Sequence, residues 1–215
     1  MTSVRPAPTG NYWNDPNTVS AFAALSAPVY LTNLLCSPVP DGAVALDVGC
    51  GTGRNLPSLV AAGFRVLAID LHPGMLDEAR DHHAGPRVAL ARANVTNMPV
   101  ADQRASLVVC HGVLHNLHDR DDLGAALREL HRVLAVGGSL SLNTFTAGHL
   151  DPCLDSLGDD VYVLPNGQYM TLLTPDDLES LLLGAGLSVC GDVTQYLSPG
   201  EPGQRSVWRA ILTRV

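Results

Sequence analysis

Apolar residues fall in short runs along this chain, and between the runs the hydrophobic spacing becomes helical. AVALDV (43–48), RVLAID (65–70), RVALAR (87–92) and ASLVVCH (105–111) predict four strands. Helical patterns cover 54–62, 73–83 and 121–134. Pro57 and Pro73 suit first turns, where a missing N–H is no loss. GSLSLNTF (138–145) is a fifth strand behind a Gly-Gly turn. This rhythm predicts a mostly parallel sheet with helices on both faces.

The two ends differ from the middle. Residues 1–12 are rich in Pro, Thr and Gly and are expected to be flexible. A helical pattern over 14–36, with Pro16 in its first turn, is split by Pro28; SPVPDG (37–42) is a linker turn. Residues 146–174 read as irregular. Thr174 caps a helix that opens at Pro175 and stops at Gly184 or Gly186, and two paired strands close the chain. The division is an N-terminal helical segment, 1–36, and one α/β domain, 37–215, carrying an insert at about 146–174.

With 215 residues, 46% of them hydrophobic and 16% charged, the chain can bury a core without disulfides or metal. Its net charge of −8 argues against nucleic acid or an anionic membrane as partner. All 13 basic residues are arginine, which removes any lysine-based mechanism. Five widely spaced cysteines without a CxxC predict free thiols in a reducing cytoplasm. No signal peptide opens the chain, and no apolar run reaches the roughly 18 residues of a membrane span.

The chemistry is concentrated behind the first strand, in LDVGCGTGRN (46–55). In open α/β sheets ligands bind at the carboxyl ends of the strands. A dinucleotide fingerprint needs a third glycine at 54 or 56, where Arg54 and Leu56 stand; a phosphate loop needs a lysine. What remains is Asp47-x-Gly49-x-Gly51-x-Gly53. This resembles the signature of class I S-adenosylmethionine-dependent methyltransferases. CHGVLHNL (110–117) is similar to the family's xNxVLHHL stretch and HRVLAVGGSL (131–140) to its RVLKPGG turn, with Val136 in place of Pro.

The resemblance implies a single doubly wound, Rossmann-like domain whose seven-stranded, mostly parallel sheet ends in an antiparallel strand. It implies S-adenosylmethionine as cofactor, bound by Asp47, Gly49, Cys50, Gly51, Gly53, Arg54 and Asn55. Asp47 serves the ammonium, and Arg54 with the helix N-terminus serves the carboxylate. Asp70 would hold the ribose, Leu71 and Val95 would pack near the adenine, and Asn94, where the family has Asp, would accept from its amino group. Cys110 and His111 would lie beneath the sulfonium. Tyr12 and Trp13 stand where a lid segment folds over the cofactor; the other reading is that they staple the first helix to the body.

His111 and His115 are the candidate general bases, needed only if the acceptor keeps its proton at neutral pH. His111, His115 and His118 are also spaced like a metal face, but a strand-to-helix break separates the first from the others, so no metal is expected. Asn-Pro-Pro-Tyr-type residues of amino-methyltransferases are missing after the fourth strand, and Asp119, Asp121 and Asp122 fall at a helix start rather than where a catechol-type metal site needs carboxylates. The expected acceptor is a small neutral or cationic organic molecule of specialised metabolism, methylated on oxygen, nitrogen or carbon by a cytoplasmic monomer or homodimer. The alternatives are a protein that binds S-adenosylmethionine without transferring its methyl, and an NAD-dependent oxidoreductase.

Overall fold

The computed structural model describes residues 12–35, 38–200 and 202–215. The flexibility expected of residues 1–11, and Cys36, lie outside the described residues.

Helices α1 (Pro16–Ala23) and α2 (Val29–Leu34) lead into β1 (Val44–Val48), α3 (Leu56–Ala61), β2 (Arg65–Asp70), α4 (Pro73–His83), β3 (Val88–Arg92) and β4 (Ala105–His111). Then come α5 (Arg120–Val133), β5 (Leu134–Thr146), the short strands β6 (Asp155–Gly158), β7 (Val161–Val163) and β8 (Tyr169–Thr171), and α6 (Pro175–Gly184). The chain ends with β9 (Leu187–Val189), β10 (Thr194–Pro199) and β11 (Gln204–Arg214).

The main sheet runs β10-β11-β5-β4-β1-β2-β3, with β9 also paired to β11. Strands β1 to β5 pair in parallel, and β11 is antiparallel to β5, β9 and β10. This is the seven-stranded, doubly wound sheet with a reversed last strand, once β9 and β10 are taken as one interrupted strand. The interruption at 190–193 includes Gly191 at φ +89°.

Burial on both faces explains the continuous apolar runs of β1 and β4. One face packs Leu31 of α2, Leu56 and Leu59 of α3 and Leu76 of α4. The other packs Leu123, Ala126, Leu127 and Leu130 of α5 with Leu178 and Leu182 of α6. The i, i+3, i+4, i+7 spacing on α5 is one helical stripe, and each fully buried leucine contributes about 1.5–3 kcal/mol. Caps set the helix starts. Asp15 accepts from Asn17 and Thr18 N–H, Asp119 from Asp121 and Asp122 N–H, and Thr174 from Asp177 N–H.

Two expectations need correction. The helix anticipated over 54–62 begins only at Leu56, leaving Arg54 and Asn55 in the preceding loop. The 146–174 insert is not irregular: β6, β7 and β8 form a three-stranded antiparallel sheet. Its strands are three or four residues long, too short to show a period. Leu164, Met170 and Leu172 give it a small core that packs on Phe145, and Thr171 Oγ1 donates to Leu117 O at 2.7 Å, tying β8 to the loop after β4. Among the described residues no helix is long and apolar enough to cross a membrane.

Candidate active site

The β1–α3 loop is folded onto the end of β2 by its own backbone. Gly49 and Cys50 N–H both donate to Ile69 O, at 2.7 and 3.0 Å, and Gly51 N–H donates to Asp70 Oδ2 at 2.9 Å. Asp70 Oδ1 accepts from His72 N–H at 2.9 Å. Asp70 thereby joins the glycine loop to the α4 entry and keeps further lone pairs for a ligand.

The glycines have different reasons to be glycine. A Cβ on Gly49, at φ +67°, would sit 2.2 Å from Val113 Cγ2. On Gly51, at φ +55°, it would meet nothing within 4 Å. Gly49 is required by packing, as is Gly53 against His83 and Leu56, whereas the backbone of Gly51 borders open space.

Beside that space lies a buried polar pair with incomplete bonding. Asp47, 1% exposed, accepts from Asn55 Nδ2 through Oδ1 at 3.1 Å. Its Oδ2, and Asn55 Oδ1, are buried with no partner among the described residues. Burial pushes the Asp47 carboxyl up to about 6, against the opposing pull of the Asn55 bond and Arg54. Two orphaned acceptors fit a cationic donor such as an ammonium. Arg54, half-buried nearby, supplies a guanidinium for a carboxylate. The donor set therefore fits S-adenosylmethionine without rearrangement of residue types: acceptors for its amine, a cation for its carboxylate, and Asp70 for its ribose.

The remaining cofactor candidates are placed unequally. Leu71 is exposed next to Asp70, an apolar surface fit for a flat ring. Asn94 Oδ1 already accepts from Thr96 N–H at 3.1 Å, which spends one of its lone pairs on the local turn, and Val95 is buried in the core. Glu129 accepts from Met98 N–H, and Arg132 donates to Met98 O and Val100 O, so α5 fixes the loop beyond Asn94. Asn14 Oδ1 accepts from Gly74 N–H at 2.9 Å, which seats the N-terminal segment at the α4 start. There Trp13 packs between Tyr12, Phe22 and His72, with ring centroids at 5.0, 5.3 and 6.1 Å. Trp13 thus staples α1 to the body at His72, with Tyr12 edge-on against its ring.

Cys110 and His111 leave β4 on opposite faces. Cys110 is fully buried in the α5-side core, its thiol pushed up to about 12, so its side chain takes no part at the open end of the strand. Cys50 is also buried and its thiol raised by the loss of solvent. His111 faces α2: its Nε2 is 2.9 Å from Ser141 Oγ, its ring centroid 5.1 Å from that of Tyr30, and its buried Nδ1 has no partner among the described residues. His115 instead stacks on Phe145 at 4.2 Å, and its Nδ1 accepts from Phe145 N–H at 3.2 Å. That bond places the proton of a neutral ring on Nε2 and spends the lone pair a base would need. Both imidazoles are driven down to about 3, first by burial, then by Arg54 and Arg209 at His111 and by Arg205 at His115.

His111 and His115 thus have separate partners, and no group of three or more His, Cys, Asp or Glu is arranged to hold a metal among the described residues. Sequence reasoning missed Tyr30, Asn143 and Arg209. The guanidinium of Arg209 lies over the Tyr30 ring, 4.1 Å from its centroid, and Asn143 is registered between His111 and Arg209 on neighbouring strands. No motif marks any of the three.

Comparison with known proteins identifies the family. Residues 46–142 match the family model described as a methyltransferase domain. A malonyl-[acyl-carrier protein] O-methyltransferase of Yersinia pestis is 39% identical over 110 residues, covering 51% of this chain and 39% of that enzyme. The chain thus spans well under two thirds of that relative's length. A ubiquinone biosynthesis O-methyltransferase of Xanthomonas axonopodis pv. citri is 31% identical over 186 residues, covering 83% of this chain and 76% of that protein. In fold, the chain is similar to an S-adenosylmethionine-dependent methyltransferase from Methanosarcina mazei, with a TM-score of 0.72, 18% identity, and coverage of 89% of this chain and 99% of that one.

Proposed function

The chain belongs to the class I S-adenosylmethionine-dependent methyltransferases, and on that premise we propose that it transfers the methyl of S-adenosylmethionine to a small organic acceptor in cytoplasmic biosynthesis. The observation that carries the proposal is the pair of orphaned acceptors, Asp47 Oδ2 and Asn55 Oδ1, next to the open backbone of Gly51 and the Asp70 carboxylate.

When bound, the cofactor supplies an electrophilic methyl on a sulfonium. The protein's part is to hold and orient. Asp47 and Asn55 would accept from the amine, Arg54 would serve the carboxylate, Asp70 would accept from the ribose, Leu71 would pack on the adenine and Asn94 would accept from its amino group. His111 stands at the end of β4, on the acceptor side. Its low proton affinity keeps the imidazole neutral and makes it a weak proton sink at pH 7, so it orients an acceptor by hydrogen bonding through Nδ1 more than it ionises it. His115 braces the β4 loop against Phe145 and the insert.

The test is a panel of small acceptors incubated with S-adenosylmethionine, read by release of S-adenosylhomocysteine and by the mass of the methylated product. Turnover with any member supports transfer. Tight cofactor binding without turnover across hydroxy, amino and carbon acceptors supports the reading of a binding protein that does not transfer the group.

A further inference from the structure

The acceptor side carries a cation with no counter-ion among the described residues. In β11 the neighbour of Asn143 is Arg209, and in β4 it is His111, so the three share one row across the sheet on the face covered by α2. The register of β1 against β4, with Val48 opposite Cys110, brings the glycine loop to the other end of that row. Tyr30 descends from α2 onto both neighbours, with its ring against His111 and under the Arg209 guanidinium. Tyr196 of β10 closes the outer side, its ring 5.6 Å from the same guanidinium.

Arg209 is half-buried, and none of the ion pairs among the described residues includes it. This holds in a chain with 21 acidic residues against 13 basic ones, where a carboxylate partner would be easy to supply. Two aromatic rings lie within cation–π distance of the guanidinium, an interaction with its face that does not consume its N–H donors. Beside it, His111 Nδ1 is unpartnered on a side chain 7% exposed. Arg54 adds a second positive charge to the neighbourhood of His111 and Tyr30.

We propose that Arg209, held between Tyr30 and Tyr196, binds an oxyanion of the methyl acceptor, so that the acceptor is an acidic small molecule bearing a carboxylate rather than a neutral or cationic one. This rests on the methyltransferase reading above. A planar carboxylate matches the guanidinium fork in a bidentate arrangement, which an ammonium or an amide cannot reproduce. The row then has a direction: cofactor at the glycine loop, acceptor along His111 and Asn143, anionic end at Arg209.

The experiment is calorimetry on the full chain, first with S-adenosylhomocysteine, then with the saturated protein titrated by matched pairs: benzoate and benzamide, 4-hydroxybenzoate and 4-hydroxybenzamide, succinate and succinamide. The proposal expects at least one carboxylate to bind about tenfold or more tightly than its amide, the scale of one charge-assisted contact. Arg209→Gln should erase that preference, Arg209→Lys should restore part of it, and neither should move S-adenosylhomocysteine affinity by more than about twofold, within about 0.4 kcal/mol. Equal binding of acids and amides, no binding of any carboxylate up to about 10 mM, or a preference that survives Arg209→Gln overturns the inference. Failure of S-adenosylhomocysteine to bind the parent protein overturns the methyltransferase reading instead.

Discussion

The two halves of the site are built differently. The cofactor half lies mostly in the loops after β1 and β2, with Asn94 added from the loop after β3, and its defining contact, Gly51 N–H to Asp70 Oδ2, joins residues 19 apart. The acceptor half draws Tyr30 from α2, His111 from β4, Asn143 from β5 and Arg209 from β11. The first half is a local turn with a strict backbone requirement; the second is a product of sheet order. A local turn constrains spacing and leaves a motif. A row across a sheet constrains only which residue faces which neighbour.

The largest effect expected from this contrast separates two glycines two residues apart. Gly49→Ala drives a methyl into Val113 and should cost about 1–3 kcal/mol in overpacking, beyond the roughly 1–2 kcal/mol of a left-handed alanine. Gly51→Ala should cost only the backbone share, yet lower S-adenosylhomocysteine affinity by more than about tenfold. Chemical denaturation and calorimetry on both variants check this; equal stability losses would remove the distinction between packing glycine and ligand-facing glycine.

Asp47→Asn comes next. It removes a buried charge that the fold holds at a cost, so thermal stability at pH 7 should stay level or rise, while affinity falls by about 1.5–3 kcal/mol, the range for a charged hydrogen bond. In the parent, burial lifts the carboxyl to about 6, and a bound ammonium favours the ionised form. Affinity should therefore rise with pH through about 6 and binding near pH 5.5 should release a proton, detected by repeating the titration in buffers of different ionisation enthalpy. A flat pH profile in the parent would contradict the pairing.

A smaller effect concerns the acceptor half and its neighbour. His111 and His115 are depressed to about 3 from an ordinary 6.5, so the unfolded chain takes up protons that the native state refuses. Their contribution is complete above about pH 6.5 and is lost as pH falls toward 3. Asp47, raised, works in the opposite direction between about 6 and 3.8, and two histidines outweigh it. Melting temperature should drop between pH 7 and pH 5, and His111→Gln should flatten that drop. The rate of any turnover found should show no limb near pH 6.5.

What was legible in the sequence follows the same division. The strands of the main sheet, the helix start at Pro16 and the cap at Thr174 could be read because apolar periods and short local signals carry them, and the short spacing of the glycine motif marked Asp47 and Asp70 as candidates. Cys110 and His111 are adjacent, and only strand alternation sends one into the core and the other toward Tyr30. His115 looked like a base because it stands in the family stretch; its bond to Phe145 N–H comes from β5, thirty residues away. The β6–β8 sheet has strands too short to reveal alternation, and Arg209 is one of three arginines in β11, with no motif to distinguish it.

The most direct measurement of the central claim is S-adenosylhomocysteine affinity for the parent and for Asp70→Ala. The carboxylate holds Gly51 N–H and His72 N–H and is assigned to the ribose. Calorimetry should give a saturable, one-site isotherm for the parent and a loss of about 1–3 kcal/mol in the variant, the cost of stranding polar partners in a buried site. No binding to the parent, or equal affinity in both, would contradict the assignment of this site.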